Sequence, residues 1–188
     1  AQEPQMTDLV LTVTRGKNVY GTISLDDSGL KDTGKIQLYG SVGVDQIFQR
    51  NDMLRIGMNL DGARDGYAKG TRGHHVSYTI PYGAHTFTLS YQRSKYHQTV
   101  ESRPYDFISA GDTNISTFSW DYVLHRSSSM KTSMDIRLRK RNSHSFLNGV
   151  DLPIQAIHQT SMEVGFAERL YLQHNTLYFR LAHRFGLG

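Results

Sequence analysis

The chain contains no cysteine among its 188 residues. This absence excludes disulfide bonds, thiolate metal sites and cysteine nucleophiles. It also suits assembly in an oxidising periplasm, where stray thiols would be oxidised. Long apolar runs are absent as well, and none approaches the ~20 residues that a membrane-spanning helix needs. A helical membrane protein is therefore excluded, whereas a membrane β-barrel remains compatible with the sequence because half of each spanning strand is polar.

Signs of a nucleic-acid partner, an enzyme or a metal site are missing. The formal net charge is +4, but Lys and Arg are scattered among the segments, without a basic helix or a glycine-aromatic stacking motif. The nine histidines lack helical metal-ligand spacing, and the adjacent His74 and His75 would point to opposite faces of a strand. We expect no catalytic site, no metal, no cofactor and no nucleic-acid partner.

What the sequence has instead is a two-residue hydrophobic alternation that restarts repeatedly along the chain. From Phe87 through Leu89 to Tyr91 the apolar side chains point one way, while Thr88 and Ser90 point the other. A soluble β-sandwich also alternates and buries its apolar faces. A membrane barrel instead presents them to lipid, in strands of roughly 10 residues.

The length of the alternating segments favours a membrane barrel over a soluble β-sandwich. Alternating segments such as 35–45, 86–96 and 113–124 exceed the five or six residues usual in a soluble sheet. The sequence therefore predicts an all-β fold, an antiparallel transmembrane β-barrel with about 8–10 strands in this chain. Aromatic residues near the segment ends are candidates for girdles at the two membrane–water interfaces: Tyr20, Tyr39, Tyr78, Tyr82, Tyr96, Tyr122, Tyr171, Tyr178 and Phe185.

The alternation also assigns side chains to two environments. We expect a polar set to line a pore: Arg55, Asn59, Asp61, Asp121, Asp135, Arg137, Arg139, Glu163 and Arg180. We expect an apolar set to face lipid: Phe87, Leu89, Tyr91, Trp120, Leu124, Ile136, Leu138, Phe166 and Phe179. The acids of the polar set are better explained as partners of its arginines than as the carboxylate pair of a glycosidase.

Long and short connections alternate along the chain. The long ones, at 26–34, 62–73, 101–112 and 143–155, are expected at the cell exterior, and the short ones, at 46–51, 81–84, 127–129 and 169–175, at the periplasmic side. In the turn at 81–84, Pro81 suits the second position of a type II turn, and Gly83 is expected to supply its positive φ.

Ordered motifs resemble those of a known family. Residues 21–34 (GTISLDDSGLKDTG) resemble the first barrel hairpin of the outer-membrane exporters of two-partner secretion, the haemolysin secretion/activation family. Asn51-Asp52, then 78–83 (YTIPYG) and 87–96 (FTLSYQRSKY), are similar to the next elements of that family. Later elements follow in the same order, with 140–155 (KRNSHSFLNGVDLPIQ) and 180–188 (RLAHRFGLG).

The resemblance implies a pore of about sixteen strands in the outer membrane of a Gram-negative bacterium. In the family, two periplasmic domains that bind the secreted partner precede the pore, and a long loop folds into it. Residues 1–16 would be a remnant of the preceding periplasmic domain or an extra N-terminal strand, and 17–188 a transmembrane barrel segment. So large a barrel needs well over ~300 residues, so we expect a barrel fragment that cannot export by itself.

Three functions stay open. The leading one is the export of a large exoprotein (a haemolysin, adhesin or contact-dependent toxin) by two-partner secretion, with the exoprotein and the lipid bilayer as partners. The second is a small closed outer-membrane barrel with a structural or adhesive role, sealed when Leu9–Thr14 pairs with Val19–Leu25. The third is a soluble ligand-binding barrel of lipocalin type, with apolar side chains inside.

Overall fold

The computed structural model describes residues 18–27, 29, 34–61 and 70–187, and they form one antiparallel sheet. Its strands are β1 (Val19–Asp26), β2 (Gln37–Asp45), β3 (Met53–Asp61), β4 (Gly70–Tyr82), β5 (His85–Val100), β6 (Phe107–Arg126), β7 (Met130–Leu147), β8 (Val150–Asp151), β9 (Ile157–Tyr171) and β10 (Thr176–Gly186), with a 3₁₀ turn, η1 (Pro153–Gln155), before β9. In the part of the chain that is described, no helix has the length and apolarity to cross a membrane.

The strands pair in chain order, from β1 through β7 and on to β9 and β10, while the two-residue β8 folds back onto β7. The predicted all-β antiparallel class and strand number are confirmed. Within the described residues, β1 pairs only with β2 and β10 only with β9, so the sheet shows no closure into a small barrel there. The hairpin expected from Leu9–Thr14 and the assignment of residues 1–16 lie outside the described residues.

The central strands are longer than the sequence pattern predicted. β5, β6 and β7 contain 16, 20 and 18 residues, because the segments taken as long connections are partly strand. Phe107–Asp112 belongs to β6 and Ser143–Leu147 to β7, so the connection between β5 and β6 is only 101–106. The expected bounds of these two loops were wrong. Apolar and polar side chains are mixed on both faces there, with Phe107 and Leu147 on one face and Ile108 and Phe146 on the other. The two-residue alternation therefore disappears although the backbone pairing continues.

Two tight turns rest on positive φ angles. Gly83 has φ 58°, which confirms the expected left-handed conformation. However, β4 continues through Pro81 to Tyr82, so the turn is the two-residue loop Gly83–Ala84. Positive φ at the first central residue alone is the pattern of a type II′ turn, which fits the twist of a hairpin, and the type II assignment was wrong. Asn148 (φ 49°) and Gly149 (φ 79°) form the type I′ turn between β7 and β8.

Burial in the sheet is inverted relative to a soluble protein. Ala167 is the only buried hydrophobic side chain among the described residues, whereas Asp52, Asp135, Ser161 and Glu163 are buried. Large apolar side chains are exposed, including Leu89 at 62% and Leu181 at 80%. Contiguous apolar exposure on this scale marks a surface that meets something other than water. The lipocalin-type alternative requires the opposite arrangement.

Glycines let large side chains lie flat on one face of the sheet. Tyr20 covers Gly43, His75 covers Gly57 and Tyr96 covers Gly111, each from the directly opposing position of the neighbouring strand. A Cβ at any of these three glycines would meet the covering ring. Such covered glycines permit close approach and curvature in designed and natural sheets. They lie on the face that also carries Asp135, which we call the polar face.

Candidate functional site

The register places all nine residues predicted to line a pore on the polar face. Directly opposed residues of antiparallel strands point the same way, and every second residue of a strand shares a face. Asp121 opposes Asp135, and Arg137 opposes Glu163, so these four share one side of β6, β7 and β9. Counting along the remaining pairs adds the other members of the set, Arg55, Asn59, Asp61, Arg139 and Arg180.

Four of these residues meet in an ion network that joins three strands. The guanidinium of Arg180 on β10 donates to both carboxylate oxygens of Asp135 on β7, at 3.2 and 2.7 Å. Its Nη2 also lies 2.8 Å from Oε1 of Glu163 on β9, which Arg137 approaches at 3.3 Å. Arg184 completes the network by donating to Oε2 of Glu163. Opposite charges therefore alternate across the polar face, and they hold β10 to β9 and β7.

Of the other five members of the set, Asp121 directly opposes Asp135 of the network, whereas the remaining four lie apart from it. Arg55, Asn59 and Asp61 lie on β3, where Asn59 covers Gly73. Arg139 lies one step beyond Arg137, opposite Ser161. The sequence interpretation missed Arg184, although Arg180 and Arg184 are an even number of residues apart on one strand and therefore share a face. That spacing was the signal that would have found it.

The opposite side of the sheet, the apolar face, carries eight of the nine residues predicted to face lipid. Phe87 opposes Trp120, and Trp120 opposes Ile136, in one continuous row across β5, β6 and β7. The same parity places Leu89, Tyr91, Leu138, Phe166 and Phe179 on this face. Leu124 is the extra residue of a bulge between Val123 and His125, so the register gives it no face and its assignment stays a prediction.

Aromatic rings gather on the apolar face at the end with the short turns. The indole N–H of Trp120 donates to Nδ1 of His85 at 3.1 Å, and the His85 ring stacks on Tyr122 with centroids 4.5 Å apart. The Phe87 ring also stacks on His85, with centroids 6.1 Å apart. Amphipathic rings in such a row suit a membrane–water interface. Of the aromatics expected in girdles, Tyr20, Tyr39, Tyr96, Tyr171 and Tyr178 instead lie on the polar face, because they occupy the other parity of their strands.

The turn between β2 and β3 is built around a buried carboxylate. Asp52, 1% exposed, accepts hydrogen bonds from the backbone N–H groups of Phe48 and Arg50 and, at 2.8 Å, from the hydroxyl of Tyr78 on β4. Desolvation by burial raises the pKa of Asp52, but these hydrogen bonds outweigh it and lower the pKa below its ordinary value of 3.8. The Asn51-Asp52 motif thus has a structural role, and Asn51 takes positive φ (57°).

Groups suited to metal binding do not assemble in the described part of the chain. No three His, Asp or Glu side chains there are placed to hold a metal ion. His74 and His75 point to opposite faces by strand parity. The buried acids Asp135 and Glu163 are held by arginines, as the sequence interpretation expected. What the two faces offer is a charged surface on one side and an apolar surface on the other.

Comparisons with known proteins agree with this architecture. The model of the haemolysin secretion/activation proteins ShlB/FhaC/HecB matches residues 5–188. The outer membrane transporter CdiB-2 of Burkholderia pseudomallei (strain 1026b) is 33% identical over 98% of this chain and 32% of its own length. The hemolysin transporter protein HpmB of Proteus mirabilis is 23% identical over 76% of the chain and 25% of its own length.

Solved structures show the same fold. CdiB from Escherichia coli superposes with a TM-score of 0.88 at 24% identity, over 94% of this chain and 33% of that one. CdiB from Acinetobacter baumannii gives 0.77 at 26% identity, over 91% and 32%. The chain thus spans a quarter to a third of the length of the curated relatives it matches. The expected localisation in the outer membrane of a Gram-negative bacterium is confirmed, and the chain belongs to the ShlB/FhaC/HecB family of haemolysin secretion/activation proteins.

Proposed function

We propose that this chain forms part of the wall of an outer-membrane pore that exports a large secreted exoprotein by two-partner secretion. In this proposal the polar face lines a water-filled pore and the apolar face meets lipid. The observation that carries it is the inverted burial: Asp135 and Glu163 are buried within a network of arginines while Leu89 and Leu181 are exposed. Water inside and hydrocarbon outside is the arrangement that makes both sets favourable.

The polar face also suits an unfolded polypeptide in transit. Besides the ion network and the five tyrosines noted above, it carries small hydroxyl side chains, such as Thr88 and Ser90 on β5 and Thr117 on β6. Such groups bond readily to water, and they offer a passing chain no large apolar surface on which to stall. Charged groups already paired with one another, such as Arg180 with Asp135, compete weakly for charges of the substrate. The wall is therefore wet and only weakly adhesive.

The test uses cross-linking to a stalled exoprotein. These 188 residues contain no cysteine, and any cysteine elsewhere in the transporter is replaced by serine first. Ser90→Cys then introduces a single thiol on the polar face, and Leu89→Cys introduces one on the apolar face at the adjacent position. The whole transporter is produced with its secreted partner, which carries one cysteine and a folded domain that halts export. A bifunctional maleimide should join the partner to Ser90→Cys and not to Leu89→Cys. Cross-linking through Leu89→Cys alone would contradict the proposed function.

A further inference from the structure

A group of basic side chains interrupts the apolar face near the end with the long connections. Arg72 and His74 on β4 directly oppose Lys95 and Arg93 on β5. We call these four residues the outer basic cluster. The next opposed pair toward the short turns, Val76 with Tyr91, is apolar and shares their face. The face thus changes from apolar to basic within one step along the strands.

The outer basic cluster surrounds a cavity. Arg72, His74, Arg93 and Lys95 line an open pocket of about 280 Å³. The side chains of Arg93 and Lys95 are each 37% exposed, so both remain accessible from outside the sheet. A pocket open on the lipid-facing side and lined by cations fits a group that carries negative charge and approaches from the membrane.

One acid organises the cluster without neutralising it. Asp112 on β6 accepts from Arg93 Nε and Nη2, at 3.2 and 2.6 Å, and lies 3.0 Å from Lys95 Nζ. This carboxylate fixes both cations in place, which lowers the entropy cost of binding an anion. It offsets one of the three formal positive charges of Arg72, Arg93 and Lys95. The pocket therefore keeps a surplus of positive charge.

A phosphate group is the anion that this arrangement recognises. Arginine guanidinium groups make paired, charge-assisted hydrogen bonds to phosphate oxygens, and lysine adds a point charge. The pocket adjoins Val76 and Tyr91, and the strip continues through Tyr78 and Leu89, where acyl chains of the same molecule would lie. A free phosphate ion makes no use of that apolar strip, so a lipid is the better occupant.

We propose that the outer basic cluster binds the phosphorylated headgroup of a lipid in the outer leaflet of the outer membrane. This inference rests on the proposed function, since it requires the apolar face to meet lipid, and on the expected placement of the long connections at the cell exterior. At the interface a cation costs little, whereas at the midplane it is strongly unfavourable. The cluster would therefore fix the height of the barrel wall in the membrane and hold β4, β5 and β6 in register at their outer ends.

The test measures how much phosphorylated lipid stays with the purified transporter. The double variant Arg72→Gln/Lys95→Gln removes two cations and leaves the Arg93–Asp112 pair in place. Wild-type protein in lipid A vesicles should retain lipid through detergent washing, and the double variant should retain about 30-fold less, from the attraction expected for two cations at a membrane surface. The matched control, Arg55→Gln/Arg139→Gln, removes two cations from the polar face and should retain as much as wild type.

Other arms separate the alternatives. Arg72→Lys/Lys95→Arg preserves the charge at the same two positions and should retain lipid. This result would show that the glutamine variant loses lipid because it lacks the charges and not because these positions were substituted. Vesicles of phosphatidylcholine should leave little lipid bound, because the choline cation balances the charge of its phosphate. Equal retention of lipid by wild type and by Arg72→Gln/Lys95→Gln would overturn the proposal. Binding of inorganic phosphate as tightly as the lipid would also overturn it, because that result would indicate an ion site. A reversed cross-linking pattern at Ser90 and Leu89 would instead contradict the proposed function.

Discussion

At the residue scale, the carboxylate of Asp52 holds the turn between β2 and β3 closed. It satisfies two backbone N–H groups inside the turn and ties the turn to Tyr78 on β4. Burying such donors without a partner is unfavourable. The sequence indicated this position only because Asn51-Asp52 resembles an element of the haemolysin secretion/activation family. Its physical role was not predictable because the hydroxyl partner lies 26 positions away in the chain.

We predict that Asp52→Ala destabilises the sheet more than Tyr78→Phe. The first change leaves several donors of the turn unsatisfied, whereas the second removes one hydrogen bond to the same carboxylate. Urea unfolding of the refolded transporter in vesicles, followed by tryptophan fluorescence, measures both. Equal unfolding midpoints for the two variants would show that the backbone hydrogen bonds to Asp52 contribute nothing.

The stability contributed by Asp52 should depend on pH. Its folded-state pKa lies below the ordinary value of 3.8, so the ionised carboxylate stabilises the fold fully above that value. The contribution is lost as the pH falls below 3.8 and through the lowered folded pKa. The difference in unfolding free energy between wild type and Asp52→Ala should therefore shrink in that acid range and stay constant from pH 5 to pH 7.

We also predict that Glu163→Gln weakens the attachment of β10. The glutamine would leave Arg137, Arg180 and Arg184 facing one another around Glu163 with only Asp135 to balance them. Glu168→Gln, on the same strand but on the apolar face and outside the network, is the control and should change stability by less than about 0.5 kcal/mol. Protease digestion at the β9–β10 connection, 172–175, measures the attachment. Equal cleavage of the two variants would contradict a structural role for the network.

At the scale of the element, the hairpin of β4 and β5 depends on one glycine. Gly83 has φ 58°, a conformation that costs a residue with a side chain about 1–2 kcal/mol and a β-branched one more. Gly83→Val should therefore slow or misregister the hairpin, whereas Ala84→Val, at the other turn position, should be tolerated. Refolding rates into vesicles distinguish the two. Similar rates for both variants would mean that the turn adapts without strain.

The sequence was sufficient to predict that the strands form and which side chains share a face. It was not sufficient to predict where the strands end. The alternation around Leu89 or Ile136 is regular because each face of those segments meets one environment. The segments 107–112 and 143–147 pair with their neighbours but mix apolar and polar side chains on both faces, so they show no alternation. The Asn148-Gly149 pair was a readable hairpin signal within a segment that had been taken as loop. The predicted turn began too early in the chain because Pro81 was taken as a turn residue, whereas it lies in β4.

At the scale of the whole molecule, the two faces differ in what they tolerate. Leu89 is 62% exposed on the apolar face, and Leu89→Arg near the midplane should cost about 2–4 kcal/mol of folding free energy in a bilayer. Ser90→Arg, on the polar face at the adjacent position, should cost much less. Urea titration in phospholipid vesicles measures both. A larger loss for Ser90→Arg would mean that the faces are assigned backwards.

The ion network was only partly predictable at this scale. Alternation indicated that Asp135, Arg137, Glu163 and Arg180 share a face, but which charges meet depends on the register between strands. Register follows from turn geometry and bulges such as the one at Val123–His125, which the sequence pattern does not mark. The placement of Arg180 between Asp135 and Glu163 therefore required the structure.

The central claim is that the polar face lines water and the apolar face meets lipid, and single-cysteine accessibility tests it most directly. In intact outer membranes, a water-soluble maleimide should label Thr88→Cys and Ser90→Cys and leave Phe87→Cys and Leu89→Cys unreacted. The same apolar-face thiols, carrying a fluorophore in vesicles, should be quenched by brominated lipids. Rapid aqueous labelling of Phe87→Cys and Leu89→Cys, with Thr88→Cys and Ser90→Cys protected and quenched by lipid, would contradict the account.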